Sequence, residues 1–210
     1  MRVVRALVLA AASTLVMGTS SDASTLLIAN LTNDQENPPV VPTLSTGGPR
    51  PASFGRATFV LNDAMTSLTM SARIVNIDVT GTQTADTNDN LVAAHIHAGI
   101  NLPPLNNGVV WGFFGAPFND NNPNDVVVSP FSAGKVGGVI TGKWDLLEGN
   151  NTNLTAQLPN IFAGRAYVNF HTAQFRGGEI RGQIAVPEPA SMTLLGLALA
   201  GVVARRRMRR

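Results

Sequence analysis

The three histidines of this 210-residue chain fall into two short segments. His95 and His97 are two residues apart in the sequence AHIHAG, and His171 is the fifth residue of the sequence YVNFHT. Histidine is the commonest metal ligand in proteins, and three neutral imidazoles suit Cu or Zn. The spacing therefore makes these histidines candidate ligands of one metal ion. The alternative is a hydrogen-bonded structural cluster that supports neighbouring loops.

The rest of the sequence offers little for catalysis. The chain has no cysteine, which excludes thiolate metal sites and a cysteine nucleophile, and no serine lies in a Gly-x-Ser-x-Gly context. Glu179 and Arg181 alternate along one predicted strand, and we interpret them as an exposed ion pair rather than an acid–base pair. The segment 86–91 begins like a calcium-binding loop but lacks the glycine and the glutamate that complete one. We therefore expect a non-enzymatic protein.

Alternating apolar and polar residues between 24 and 186 predict an all-β domain. In the segment 67–75, for example, apolar side chains occupy every second position from Leu68 to Ile74. Such alternation is typical of antiparallel strands that cover a core with one face. About eight strands, separated by turn-rich stretches such as 117–130, predict an antiparallel β-sandwich or a flattened Greek-key barrel. The predicted strands are Thr25–Asn30, Gly55–Leu61, Leu68–Ile74, Leu91–Ala98, Gly108–Phe114, Lys135–Trp144, Arg165–Thr172 and Glu179–Val186, with a short helix near Leu154–Phe162.

The same alternation places all three histidines opposite the predicted core. Side chains two residues apart in a strand point to the same side, so His95 and His97 are neighbours while Ala94 and Ile96 face the core. His171 likewise lies on the polar side of its strand. We therefore expect the histidines to face outward. The two last strands are separated by a short turn, which predicts a hairpin, but the sequence leaves open whether the His95–His97 strand lies beside it.

Residues 1–23 have the organisation of a secretory signal peptide. Arg2 and Arg5 precede an apolar stretch, and small and polar residues follow as far as Ala23. A charged region, an apolar region and a cleavable region in this order direct export, and we predict cleavage near Ala23. The apolar run is too short to span a bilayer, which argues against a permanent anchor.

Residues 187–210 combine three elements in a fixed order. Pro187-Glu188-Pro189 is followed by an apolar stretch, 192–204, and then by a terminal arginine cluster. As a helix, the apolar stretch would rise about 20 Å, less than the roughly 30 Å of a bilayer's hydrocarbon core. The combination resembles the PEP-CTERM sorting signal of Gram-negative bacteria. The resemblance implies an exosortase-type enzyme acting near Pro187-Glu188-Pro189, transient membrane association through 192–204, and release to the cell surface or extracellular matrix.

Removal of both targeting segments reverses the sign of the net charge. The whole chain has a formal charge of +2, whereas residues 24–186 contain eight basic and eleven acidic side chains, a net charge of −3. A negatively charged domain lacks the electrostatic support that nucleic-acid binding requires. We therefore expect no nucleic-acid partner, and an extracellular polysaccharide or protein is the kind of partner to look for.

The histidine motifs and a later glycine-containing motif together resemble the CHRD domain, a module of chordin and of many secreted bacterial proteins. The matching segments are ENPPV at 36–40, GRATF at 55–59, AHIHAG at 94–99, YVNFHT at 167–172 and GEIRGQ at 178–183. The resemblance spans roughly residues 27–186 and implies an extracellular module without an assigned reaction. It favours a surface or matrix protein that binds another molecule or has a structural role.

A second resemblance concerns the histidines alone. A His-x-His pair on one strand and a distant histidine on another are similar to the copper ligands of copper–zinc superoxide dismutases, whose metal lies outside a β-barrel. The resemblance implies a Cu- or Zn-binding domain as the alternative function, with His95, His97 and His171 as ligands. It does not extend to dismutase activity, because the chain has no further histidine for a fourth copper ligand or a zinc site.

Overall fold

The computed structural model describes residues 24–187. Within this range the chain forms nine β-strands, one α-helix and one short 3-10 turn. The predicted signal peptide with its cleavage site near Ala23 and the predicted apolar helix at 192–204 lie outside the described residues, as do Glu188 and Pro189. No helix in the described part is both long and apolar enough to cross a membrane.

Irregular loops join most of the strands, and one helix, α1 (Leu154–Phe162), leads from the seventh strand to the eighth. The Asn153 side chain caps α1 by accepting a hydrogen bond from the backbone amide of Ala156. The strands are β1 (Thr25–Thr32), β2 (Phe54–Leu61), β3 (Ser67–Val75), β4 (Leu91–Ala98), β5 (Val109–Phe114), β6 (Val127–Pro130), β7 (Gly137–Asp145), β8 (Ala166–Thr172) and β9 (Ile180–Gln183).

All nine strands belong to one antiparallel sheet, in the order β5-β4-β8-β9-β1-β2-β3-β7-β6. The sheet is strongly curled, since Trp111 of β5 stacks on Trp144 of β7 with ring centroids 5.7 Å apart although six strands separate them in the sheet. The two ends of the sheet therefore face each other across one core, as in a flattened open barrel. The predicted all-β architecture is confirmed.

The apolar core follows the predicted alternation. Phe59 of β2 and Met70 of β3 lie opposite each other in register, and each is at most 1% exposed. Phe113 of β5 meets Phe170 of β8 edge to face. Burial of this apolar surface is the main favourable contribution to folding, at about 25 cal/mol per Å². The strands that carry the histidines are fixed to the same core by their own inward residues.

The strand positions agree with the alternation pattern except at β6. The bounds of β4 and α1 are those predicted, and the other main strands differ by a few residues. The turn-rich connection predicted at 117–130 is irregular as far as residue 126, but its last four residues form β6, so the prediction is wrong for that end. β6 has only four residues, pairs with β7 alone and is largely exposed. A strand this short that buries almost no side chain needs no alternation of apolar and polar residues, so its sequence does not identify it as a strand.

The side of β4, β8 and β9 opposite the core is also covered. The segment after β1 and the loop between β4 and β5 lie over it: Asn33 donates a hydrogen bond to the carbonyl of Glu179, and Arg181 donates to the carbonyls of Gln35 and Pro104. A face that carries mostly polar side chains is therefore enclosed. The domain contains a buried polar layer in addition to its apolar core.

A buried ion pair anchors this polar layer. Arg50 Nη2 donates to Glu179 Oε2 at 2.7 Å, and the hydroxyls of Ser53 and Thr172 donate to the same carboxylate. The predicted exposed pair between Glu179 and Arg181 is therefore wrong, because Glu179 is fully buried and Arg181 donates to loop carbonyls and to an amide. Alternation placed the two residues on one face, but the loop before β2 brings the cation that binds the carboxylate.

We expect Arg50→Ala to lower the free energy of unfolding by about 3–5 kcal/mol, because it leaves an uncompensated buried carboxylate. The matched control is Lys143→Ala, which removes a half-buried cation from Asp125 and Asp145 and should cost about 0–1 kcal/mol. Urea unfolding of both variants, with a metal chelator present, measures the difference. Two equal and small losses would contradict a structural role for the buried pair.

Candidate metal centre

Strands β4 and β8 position the three histidines. The strands pair antiparallel, with His95 opposite Asn169 and Ala93 opposite His171. His171 is therefore the diagonal neighbour of His95 on the face opposite the core, a separation that long and aromatic side chains can bridge. The His95–His97 strand thus lies directly beside the β8–β9 hairpin, whose predicted pairing is confirmed.

The three imidazoles converge. His95 Nδ1 lies 3.1 Å from His171 Nε2, and one ring nitrogen from each of the three histidines lies within 4.8 Å of the others. Three nitrogens bound to one ion at about 2.0–2.1 Å lie roughly 3.5 Å apart in a trigonal or tetrahedral arrangement, so the most widely spaced rings would have to approach each other by up to about 1.3 Å when the ion binds. Within residues 24–187, no other group of His, Asp or Glu side chains converges in this way.

Each imidazole is held by a backbone carbonyl from a different loop. His95 Nε2 donates to Ala116 O at 3.1 Å, His97 Nδ1 to Asn107 O at 2.9 Å, and His171 Nδ1 to Arg176 O at 3.0 Å. A carbonyl can only accept a hydrogen bond, so these three ring nitrogens carry the protons. Outer hydrogen bonds of this kind fix the tautomer and the orientation of metal-ligating histidines.

The other nitrogen of each ring carries a lone pair instead of a proton, and these three nitrogens lie close together. A neutral imidazole carries one proton, so none is left for His95 Nδ1, His97 Nε2 or His171 Nε2. The 3.1 Å contact between His95 and His171 therefore joins two acceptors, and His97 Nε2 is buried without a hydrogen-bond partner. Buried acceptors without a donor are destabilising. One metal ion bound by all three nitrogens would satisfy them together.

The histidines are buried, and the expectation that they face outward into solvent is wrong. His95, His97 and His171 are only 5%, 8% and 6% exposed. Alternation correctly placed them opposite the apolar core, but the loops that follow β4, β5 and β8 cover that face. The same loops supply the three carbonyls, so the burial of the rings and their hydrogen bonds have one cause.

Burial keeps the imidazoles neutral. Loss of solvation, together with the neighbouring histidines, lowers the pKa of His95 to about 4. Loss of solvation likewise lowers the pKa of His97 to about 4, and it lowers the pKa of His171 in the same direction. Neutral imidazole is the form that binds metal ions. The three nitrogens therefore remain available as ligands well below neutral pH.

Two residues that sequence reasoning did not assign to the site extend it beyond the three rings. Tyr167 stacks on His97, with ring centroids 4.8 Å apart and planes inclined by 6°, and the Arg181 guanidinium lies 4.7 Å from the Tyr167 ring centroid. Tyr167 could have been found, because alternation places it on the same face of β8 as His171. The three loop carbonyls that accept hydrogen bonds from the histidines could not have been found, since every residue has a backbone carbonyl.

Comparison with protein families agrees with the sequence motifs. The CHRD domain model matches residues 27–184, and the PEP-CTERM protein-sorting motif matches residues 185–210. The chain belongs to the CHRD domain family. All three histidines and the loops that cover them lie within the matched CHRD domain. No curated protein and no solved structure shows significant similarity to the chain.

The sorting motif begins where the CHRD domain closes. Ala185 and Ile28 of β1 exchange two backbone hydrogen bonds, so the first and last parts of the domain are joined immediately before Pro187. The PEP-CTERM motif marks the protein for export and for processing by an exosortase at its C-terminus. The chain that carries the histidines is therefore an exported protein.

In the absence of metal, we expect the parent protein to have a higher free energy of unfolding than His97→Gln at neutral pH. We expect this difference to become smaller as the pH is lowered. The pKa of His97 is about 4 in the folded protein and 6.5 ordinarily, so the unfolded chain takes up the proton first. The stability that the neutral histidine contributes is therefore present above pH 6.5 and is lost as the pH falls towards 4. The expected loss is on the order of 1–3 kcal/mol.

Urea unfolding of both proteins at pH 7, 5.5 and 4, with a chelator present, measures this change. The quantity to compare is the free energy of unfolding of the parent protein minus that of His97→Gln. The subtraction is needed because burial raises the pKa of Glu36 to about 7, so Glu36 also titrates in this pH range. That group has the opposite effect on stability over much of the same range, and it is common to both proteins. A difference that stays constant between pH 7 and pH 4 would show that His97 is not held neutral.

Proposed function

We propose that the exported CHRD domain is a non-enzymatic binding protein that holds one Cu or Zn ion between His95, His97 and His171. The observation that carries this proposal is the group of three ring nitrogens that have lone pairs, lie close together and have no proton donor. A single metal ion satisfies all three, and Cu and Zn are the ions that imidazole ligands suit.

A purely structural histidine cluster explains the same contacts less well. Structural clusters pair each buried acceptor with a donor. Here His95 and His171 present acceptor to acceptor, and His97 Nε2 has no partner. A water molecule placed between the rings could donate only two hydrogen bonds and would leave the third nitrogen without a donor. The metal hypothesis accounts for all three nitrogens.

The proposal stops at metal binding. The His-x-His pair and the distant histidine are similar to the copper ligands of superoxide dismutases, but those enzymes also use a fourth copper ligand and a neighbouring zinc site. A chain with three histidines and no cysteine cannot reproduce that ligand set. The arrangement supports an ion held by protein ligands, and it does not call for a reaction at that ion.

The targeting segments support a location of this site outside the cytoplasm. We propose that residues 1–23 direct export and are cleaved near Ala23, and that residues 24–186 form the exported domain. The apolar segment 192–204 then holds the chain transiently in the membrane. The sorting enzyme recognises Pro187-Glu188-Pro189 and releases the domain to the cell surface or matrix. The match of the PEP-CTERM motif to residues 185–210 supports this order of events.

We expect the exported protein, produced from the full-length gene without a histidine tag, to bind one equivalent of Cu or Zn. Because the ion binds the native state only, metal at 100 times its dissociation constant should raise the free energy of unfolding by about 2.7 kcal/mol. Elemental analysis and urea unfolding measure the two effects. Both should be lost in His95→Ala and in His171→Ala.

The control for this experiment is Asn169→Ala. Asn169 is buried on β8 between Tyr167 and His171, but it offers no imidazole nitrogen, so the variant should keep its metal. A parent protein that contains no metal and gains no stability on titration with Cu or Zn would overturn the proposal. So would equal metal binding by the histidine variants and by the control.

The sorting proposal has a separate test in the exporting cell. Replacement of Pro187, Glu188 and Pro189 by alanine should leave an unprocessed chain in the membrane fraction, since the enzyme can no longer recognise it. Immunoblots of the membrane and surface fractions report the distribution. Replacement of Val186 by alanine, next to the motif, should leave processing unchanged. Normal processing of the triple variant would remove these residues from the recognition site.

A further inference from the structure

We infer that the three-histidine site is built for a monovalent ion, Cu(I), in preference to Cu(II) and Zn(II). This inference rests on the proposed function, because it names the ion that the proposed site takes. It follows from the charge of the ligands, the charge of the surroundings and the number of ligands. The structure provides a separate observation for each of these three factors.

The ligand set carries no negative charge. The three inward ligands are neutral imidazoles, and the outer nitrogen of each ring donates to a backbone carbonyl. In sites for divalent ions, the outer partner of a ligating histidine is often a carboxylate, which offsets part of the metal's charge. Among the described residues, no carboxylate accepts a hydrogen bond from these three rings. No ligand, and no hydrogen-bond partner of a ligand, therefore offsets the charge of a bound ion.

The charged group stacked over the ligand rings is a cation, while the buried Glu36 carboxylate lies beside Asn169 and Gly178 and interacts with that cation. The Arg181 guanidinium lies over Tyr167, and Tyr167 stacks on His97, so a fixed cation is separated from a ligand ring by one aromatic ring. Arg181 is itself 5% exposed and is held by the carbonyls of Gln35 and Pro104. The cost of transferring an ion from water into such a site grows with the square of its charge. A divalent ion is therefore penalised much more than a monovalent one.

The number of ligands favours the same ion. Cu(I) has a filled d shell and is stable with three nitrogen ligands, whereas Zn(II) bound by three histidines needs a water or another group as its fourth ligand and Cu(II) prefers a tetragonal arrangement. No fourth His, Asp or Glu joins the group within residues 24–187. All three histidines are at most 8% exposed, so solvent has little access to supply the missing ligands.

The test compares the affinities of the exported, untagged protein for three ions under anaerobic conditions. Competition with bicinchoninate gives the Cu(I) affinity, and competition with chelators of known strength gives those for Cu(II) and Zn(II). We expect Cu(I) to bind at least 100-fold more tightly than Cu(II). This preference raises the potential of the bound copper couple above that of the aqueous ions by about 120 mV, at 59 mV per tenfold change. Zn(II) should bind more weakly than either copper ion.

A nearly isosteric charge change tests the cause. Asn169→Asp, made together with Glu36→Gln so that the new carboxylate has no acidic neighbour, places a carboxylate opposite His95 in register, and relative to Glu36→Gln alone it should improve Cu(II) and Zn(II) binding over Cu(I) by at least tenfold. Thr58→Asp is the matched control, since it adds the same charge on the solvated face of β2 and should leave the ratio unchanged. An unshifted ratio in the double variant would show that charge does not set the preference.

The outcomes separate this inference from the proposed function. A parent protein that binds one Zn(II) or Cu(II) ion at least as tightly as Cu(I) overturns the inference and leaves metal binding intact. A protein that binds none of the three ions overturns both. If His97→Ala still preferred Cu(I), the inference would also be overturned. The ion would then bind somewhere other than at the three histidines.

Discussion

Three hydrogen bonds from imidazoles to loop carbonyls determine the arrangement of the polar end of this domain. Each bond orients a ring, fixes which of its nitrogens is protonated and fastens one covering loop to the sheet. The loops in turn exclude solvent and lower the pKa of the imidazoles. The inward lone pairs, the burial and the neutral charge state are therefore consequences of a single set of contacts.

The buried polar layer depends on an anchor that is independent of the histidines. Glu179 lies immediately before β9, and its carboxylate accepts hydrogen bonds from a cation and a hydroxyl in the segment before β2 and from a second hydroxyl at the end of β8. Breaking such a pair leaves a buried charge, which makes the arrangement costly to loosen. Gly178 is close to the Glu36 carboxylate and the Asn169 amide, and a Cβ at this position would lie 2.5 Å from Asn169 Nδ2. Because Gly178 also has a φ of +133°, a conformation that other residues rarely adopt, glycine is strongly favoured where the chain passes the site.

The sequence allowed prediction of the strands and of the face on which each histidine lies, because both follow from a local period of two residues. It did not allow prediction of burial. Whether the outer face of β4 is solvated depends on loops with no periodic pattern, whose contacts are made through backbone carbonyls. The error for Glu179 has the same origin: its partner Arg50 is 129 residues away in an irregular segment. The motifs identified the candidate ligands, while the tautomers and distances required the structure.

The compartment and the chemistry of the site are consistent with each other. An exported protein meets oxidising conditions in which thiolate ligands are lost to disulfides, and this chain has no cysteine. Imidazole ligands avoid that reaction, but in water they are protonated at mildly acidic pH and then release their metal. Burial counters this weakness by lowering the pKa of His95 and His97 to about 4, so these two rings stay neutral at mildly acidic pH. The covering loops therefore favour the charge state that the proposed metal binding requires.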